Sequence, residues 1–162
     1  MPGRLVQINR KPLTPGEPGL PKVATPHVRV TVAGLEGDFN VYRHEKKHDT
    51  LDRALLLYST DKLTTLNQEG WPLRPGDIGE NLTLEGIDYD AMQPGTEWRV
   101  GSELVIRVTE PCHPCKTLGK LPYVGDDRKR DFMETMKGRR GWYAKVLREG
   151  TVTVGDTFSK VL

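Results

Sequence analysis

The sequence has few residues of several kinds, and each shortage excludes a class of protein. Only two cysteines occur in 162 residues, which excludes a disulfide-rich secreted scaffold. No apolar run is long enough to cross a bilayer, and residues 1–8 lack the apolar core of a signal peptide. The 24 basic and 22 acidic residues nearly cancel, so no global field favours a nucleic-acid partner. We therefore expect a cytoplasmic protein that binds neither membranes nor nucleic acid.

Glycine and proline are plentiful, with 17 and 12 residues, and their spacing keeps the apolar segments short. Short apolar segments separated by turn residues favour strands over long helices. Strands are predicted at 4–8, 27–32, 54–59, 96–100, 103–109, 142–148, 151–154 and 157–161, and helices at 62–69 and 126–137. Residues 11–26 contain five prolines and are predicted to be an irregular loop. A mainly β fold follows, with the last strands suggesting a closed or nearly closed barrel.

Both cysteines lie in one stretch, Cys112-His113-Pro114-Cys115, directly after a predicted strand. A thioredoxin-type dithiol would need a longer helix after the second cysteine than the chain offers before Pro122. A structural zinc site would need two further ligands, which His44 and His48 have the spacing to supply. Two ordinary small residues at a strand end are a further interpretation. The remaining one is a reactive thiolate, favoured by the adjacent Lys116, that binds a soft metal or carries sulfur.

Several basic residues are candidates for binding an anion. Arg139 and Arg140 follow Gly138, which is predicted to end the second helix, and are therefore the better candidates for a ligand pocket. The basic residues at 128–130 are interpreted as a solvated helix face. Arg53 precedes an apolar strand, where an arginine either pairs with a carboxylate or contacts an anion.

The order of the motifs resembles that of the MOSC domain, the module found at the C-terminus of molybdenum cofactor sulfurases. The segments that carry the resemblance are 51–59 (LDRALLLYS), 75–82 (PGDIGENL), 109–118 (TEPCHPCKTL), 140–143 (RGWY) and 150–156 (GTVTVGD). They extend over most of the chain, from about Gly34 to the end. The resemblance implies a MOSC-type β-barrel with a few short helices. We expect one such domain over residues 1–162, with residues 1–33 as an N-terminal strand and an irregular extension packed on the barrel.

The resemblance also implies a cofactor, the molybdenum cofactor, which is a pterin dithiolene carrying a phosphate. In relatives that reduce N-hydroxylated compounds, a cysteine of the domain ligates the molybdenum. Cys115 matches that position best and is the expected catalytic residue and metal ligand, with Cys112 ranked second. The further positions expected to contact the cofactor are Arg53, Glu80, Asn81, Lys116, Arg140 and Trp142. The pyridoxal-phosphate-dependent desulfurase domain of the sulfurases has no counterpart in the sequence, so no pyridoxal phosphate is expected.

The leading hypothesis is a molybdenum-dependent oxidoreductase that reduces N-hydroxylated or N-oxide compounds with electrons from a separate reductase. One alternative is a sulfur or cofactor carrier that holds a persulfide on Cys115. Another is a zinc-stabilised β-barrel that serves as a binding module. The sequence carries no signal for the physiological substrate, the electron donor or the oligomeric state.

Overall fold

A computed structural model describes residues 2–12, 14–39 and 50–162, without the side chains of Thr50 and Lys116. The strands of this part are β1 (Gly3–Arg10), β2 (Val23–Thr25), β3 (His27–Thr31), β4 (Gly34–Leu35), β5 (Leu55–Ser59), β6 (Leu82–Glu85), β7 (Glu97–Val100), β8 (Leu104–Pro111), β9 (Trp142–Arg148), β10 (Gly150–Thr153) and β11 (Thr157–Lys160). Its helices are α1 (Thr60–Gln68) and α2 (Gly125–Met136), with 3-10 helices at Thr50–Arg53, Tyr89–Ala91 and Lys116–Lys120.

Seven strands close into a barrel in the order β1, β11, β7, β8, β9, β5, β6 and back to β1. β5 and β6 are parallel and are joined through α1, as a parallel pair requires a crossover connection. The other barrel neighbours are antiparallel. Closure occurs between β1 and β11, where Gly3 lies opposite Phe158 and Arg4 opposite Thr157. The predicted mainly β barrel is confirmed.

A second, three-stranded sheet forms from β10, β3 and β4, with Val152 of β10 opposite Val28 of β3. The prediction of an entirely irregular loop over residues 11–26 is wrong at one place, because β2 lies within it. β2 is antiparallel to the end of β1, with Val23 opposite Arg10. Only three residues pair, and that pairing is decided by the tertiary partner rather than by the local sequence.

The apolar side chains form two clusters, one inside the barrel and one outside it. All five residues of β5 are buried, as its continuous apolar run predicts. The outer cluster, which contains Tyr58, Trp71 and Phe132, packs α1 and α2 against the barrel wall. Ser59 begins α1, since its hydroxyl accepts a hydrogen bond from the Asp61 N–H at 3.2 Å. Neither α1 nor α2, in the part of the chain that the structure describes, is long and apolar enough to cross a membrane.

Candidate functional site

A cavity of about 410 Å3 lies where β5 and the neighbouring ends of β8 and β9 meet the loop that precedes β6. This volume falls in the range of small-molecule sites, about 300–1,000 Å3. The wall of the cavity is formed by Gly19, Leu20, Lys22, Phe39, Arg53, Leu56, Gly79, Asn81, Glu110, Pro111, Cys112, His113, Pro114, Cys115, Thr117, Arg140 and Tyr143. The predicted cysteine stretch therefore forms one side of it.

The two cysteines are both free thiols on the cavity wall, but their environments differ. Cys112 is buried, and its backbone N–H donates to the carbonyl of Gly141 at 2.8 Å. Burial raises the pKa of the Cys112 thiol, although the nearby Arg140 charge and a hydrogen bond with Tyr143 oppose that rise. Cys115 is exposed and has an extended backbone directly before the 3-10 helix Lys116–Lys120. The exposed thiol is the more accessible of the two for a ligand entering the cavity.

Arg140 is a buried arginine, with only 6% of its surface exposed. Its Nε and Nη1 groups are buried and have no hydrogen-bond partner among the described residues. An unpartnered buried donor costs about 1–3 kcal/mol, and more when the group is charged. Arg140 lines the cavity, so an anion bound beside its guanidinium would reduce that cost. Arg140 is therefore the wall residue best suited to an anion ligand.

Two other cations of the wall are paired with carboxylates. Arg53 forms a salt bridge with Glu110, and its guanidinium carbon lies 5.2 Å from the ring centroid of Tyr143. The Lys22 ammonium lies 2.8 Å from Asp38 Oδ2, in a pair that is largely shielded from solvent. Each carboxylate offsets the charge of its cation, and the pairing fixes the side chains that carry these charges.

Asn81 reaches the cavity wall, whereas its neighbour Glu80 does not. The Asn81 side chain joins three segments: Oδ1 accepts from the Leu56 N–H at 3.0 Å, and Nδ2 donates to Asp38 Oδ2 at 2.9 Å and to Asn9 O at 3.3 Å. Glu80 is fully buried beneath the turn. Its carboxylate accepts hydrogen bonds from the Gly76 N–H and the Thr83 hydroxyl. Burial raises the pKa of Glu80 to about 7.

Of the remaining predicted cofactor contacts, Trp142 is not brought to the wall. Trp142 packs against the barrel core, and its buried indole N–H has no partner among the described residues. The side chain of Lys116 is outside the described part. For Glu80, Trp142 and Lys116, contact with a cofactor thus stays a prediction.

Two expectations about the basic residues are corrected. Arg139 does not line the cavity, since its guanidinium forms two hydrogen bonds with the Glu69 carboxylate, one of them at 2.9 Å. Arg128 is exposed but not simply solvated. Its guanidinium carbon lies 4.2 Å from the ring centroid of Trp71, which attaches α2 to the outer apolar cluster.

Among the wall residues that sequence reasoning did not assign to the site are two with polar side chains, Lys22 and Tyr143. Lys22 belongs to a proline-rich loop, where no periodicity indicates which side chains point inward. Tyr143 belongs to the motif at 140–143, in which the resemblance indicates Trp142 as the contact. Successive side chains of a strand point to opposite faces, so Trp142 and Tyr143 are not expected to border the same cavity. Only the pairing of β9 with β5 and β8 shows which face borders the cavity.

The described residues bear on two interpretations of the cysteine stretch, a zinc site and a thioredoxin-type dithiol. Within 2–12, 14–39 and 50–162, no group of three or more His, Cys, Asp or Glu side chains is placed to hold a metal ion. His44 and His48, the predicted zinc ligands, lie outside those residues, so the zinc interpretation stays a prediction. The helix after Cys115 is a 3-10 helix of five residues that follows an antiparallel strand, which differs from the setting of a thioredoxin dithiol.

Comparison with known proteins assigns the chain to a family. A family model for the MOSC domain matches residues 44–159, which include the cysteine stretch and Arg140. The chain belongs to the MOSC domain family. MOSC domains are associated with the molybdenum cofactor.

Individual relatives agree with this assignment. A protein named reductase from Gibberella moniliformis is 31% identical over 121 residues, which are 69% of this chain and 20% of that protein. The chain thus spans about a fifth of the length of this curated relative. YiiM from Geobacillus stearothermophilus is 26% identical with a TM-score of 0.75, over 99% of this chain and 76% of YiiM. YuaD from Bacillus subtilis is 17% identical with a TM-score of 0.81, over 98% and 94% of the two chains, and shows the fold alone.

The MOSC cavity of this chain fits the chemistry of the cofactor at two points. The phosphate of the pterin requires hydrogen-bond donors, and Arg140 has two buried groups that find no partner in the described part of the chain. A thiolate is a soft ligand suited to a thiophilic metal, and the exposed Cys115 thiol lies on the same wall. The donor set is therefore suited to a ligand that carries both an anion and a thiophilic metal.

Proposed function

We propose that this MOSC protein binds the molybdenum cofactor in the cavity and reduces N-hydroxylated or N-oxide compounds. The observation that carries the proposal is that one cavity is lined by Cys115, whose thiol is exposed, and by Arg140, whose Nε and Nη1 have no partner among the described residues. One group offers a soft ligand and the other an anion partner, which are the two functions that this cofactor requires of a protein.

The residues have distinct roles in this proposal. Cys115 supplies the protein ligand, and Arg140 holds the phosphate. Cys112 is the weaker candidate ligand, because burial raises its pKa and favours the protonated thiol. Arg53 and Lys22 contribute charge to the wall through side chains fixed by Glu110 and Asp38.

The reaction requires a source of electrons and protons. Reduction of a hydroxylamine consumes two electrons and two protons, breaks the N–O bond and yields an amine and water. The bound cofactor would supply the two-electron redox centre. The electrons would come from a separate reductase. The relative named reductase is about five times as long as the matched part, which is consistent with electron-supplying parts outside a MOSC region.

The proposal is tested by assaying protein expressed with molybdate, using an amidoxime as substrate and reduced methyl viologen as artificial electron donor. We expect amidoxime-dependent oxidation of the viologen by the wild type and none by Cys115→Ser. Tyr123→Phe, which alters a residue outside the cavity wall, serves as the control and should retain activity. Molybdenum-loaded wild-type protein that reduces neither an amidoxime nor an N-oxide would contradict the reductase assignment.

A carrier function for the exposed Cys115 would give a different result. Mass spectrometry of the non-reduced protein would then show one added sulfur atom on Cys115, in protein without molybdenum. Zinc in the purified protein, lost in both Cys112→Ala and His48→Ala, would instead support a zinc-stabilised binding module.

A further inference from the structure

Two hydrogen bonds hold the backbone on either side of Arg140. One comes from a residue of β5 and the other from the residue that directly follows β8. Before it, the Tyr58 hydroxyl donates to the carbonyl of Arg139 at 2.6 Å. After it, the Cys112 N–H donates to the carbonyl of Gly141 at 2.8 Å. Tyr58 lies in β5, and Cys112 directly follows β8, so the segment that carries Arg140 is fixed between two barrel strands.

Two further contacts leave this segment little freedom. The Arg139 guanidinium is engaged by the Glu69 carboxylate at the end of α1, which keeps that side chain away from the cavity. Gly141 has a φ of +105°, and a Cβ at this position would lie 2.6 Å from the Leu57 carbonyl oxygen. The chain therefore passes directly against β5, and only glycine permits this approach.

Arg140 is held without a hydrogen-bond partner for two of its buried groups. Its Nε and Nη1 have none among the described residues, although the buried Glu80 carboxyl interacts electrostatically with its charge. Keeping buried donors of a charged group unpaired is costly, so the backbone that carries Arg140 must be held in place. The fixed backbone keeps the Arg140 side chain at the cavity wall.

We infer that Tyr58 is a positioning residue, whose hydroxyl holds the Arg139 carbonyl and so keeps the Arg140 guanidinium directed at an anion in the cavity. Burial raises the pKa of Tyr58, so the hydroxyl keeps its proton and remains a donor. The inference rests on the proposed function in that the anion would be the phosphate of the cofactor. Tyr58 itself is not part of the cavity wall.

The test measures binding of inorganic phosphate to cofactor-free protein by isothermal titration, with chloride used to keep the ionic strength constant. Tyr58→Phe should weaken phosphate binding about fivefold, which corresponds to about 1 kcal/mol. Arg140→Gln should abolish binding. Tyr123→Phe is the matched control, because it also removes one tyrosine hydrogen bond, the 2.9 Å contact with Asp77 Oδ2, and should bind phosphate as the wild type does.

A second variant covers the case in which Tyr58→Phe does not fold. Glu69→Gln removes the charge that restrains Arg139 from the helix side, and it should also weaken phosphate binding. The inference is overturned if the variant that folds binds phosphate as the wild type does while Arg140→Gln has lost binding. Equal weakening in Tyr123→Phe, or no phosphate binding by the wild type, would overturn it as well. The molybdenum and pterin content of the holoprotein decides the proposed function separately.

Discussion

Glu80 is a carboxylic acid with no exposed surface, and its ionisation is linked to the stability of the fold. Burial raises its pKa from an ordinary value of 4.5 to about 7, so the unfolded chain loses this proton first as the pH rises. The contribution of Glu80 to stability is therefore greatest below pH 4.5 and is lost as the pH rises through about 7. Glu80→Gln should remove this dependence. Between pH 4.5 and about pH 7, the free energy of unfolding of the wild type should fall by about 3 kcal/mol relative to that of Glu80→Gln.

Urea unfolding of cofactor-free protein at pH 5 and pH 8 measures this difference. A wild-type-minus-variant difference that is the same at both values would show that Glu80 is already ionised in the folded protein at pH 5.

Asn81 illustrates how one side chain connects the cavity wall to the N-terminal strand. Asn81→Ala removes three hydrogen bonds and leaves the Leu56 N–H without the acceptor it has in the wild type. We expect a loss of about 3 kcal/mol in the free energy of unfolding. Gln93→Ala is the control, because it removes one exposed hydrogen bond, and it should change stability by less than about 0.5 kcal/mol. Equal effects in the two variants would refute this role of Asn81.

For single residues, the sequence indicates well which side chains are chemically suited to a site. It indicates less well which of those side chains lie together in the fold. Arg140 and the cysteines stand out because proline and glycine mark the ends of the elements beside them. Arg139 satisfies the same criterion and yet pairs with Glu69, a residue 70 positions away. Lys22 and Tyr143 reach the cavity through tertiary packing and strand orientation, which local sequence does not determine.

Among the elements, α1 has a defined start at Ser59, which is also the last residue of β5. Ser59→Ala should destabilise the protein by about 1 kcal/mol through loss of the N-cap. Thr65→Ala within the same helix removes only a hydroxyl bonded to the Asp61 carbonyl, and it should cost less than about 0.5 kcal/mol. Chemical denaturation monitored by circular dichroism compares them. A Ser59→Ala effect no larger than that of Thr65→Ala would exclude the cap.

The elements that sequence predicts well are those with a strong pattern of their own. β5 is a continuous apolar run, and α2 has an apolar stripe that ends just before Gly138, so both lie close to their predicted positions. β2 has no such pattern, because Val23 is exposed and its pairing depends on the end of β1. The position of a strand with so weak a pattern can be determined only when its partner strand is known.

For the whole molecule, we propose that residues 1–162 unfold as one cooperative unit, although the apolar side chains form two clusters. Trp98 belongs to the cluster inside the barrel and Trp71 to the outer one. Because β5 contributes Leu57 to the inner cluster and Tyr58 to the outer one, the two clusters share a strand. Trp71→Phe removes the fluorescence signal of the outer cluster, and the double variant Trp98→Phe/Trp142→Phe removes that of the inner one. In each variant, urea transitions followed by tryptophan fluorescence and by circular dichroism should coincide. Separate transitions would indicate two independently folding parts.

The central claim is that the cavity with Cys115 and Arg140 holds the molybdenum cofactor, and the most direct measurement is the molybdenum and pterin content of protein expressed with molybdate. The account predicts stoichiometric molybdenum and pterin in the wild type and loss of molybdenum in Cys115→Ser. Reduced retention of both is predicted for Arg140→Gln, and a smaller loss for Cys112→Ser. Wild-type levels of molybdenum and pterin in both Cys115→Ser and Arg140→Gln would contradict the claim.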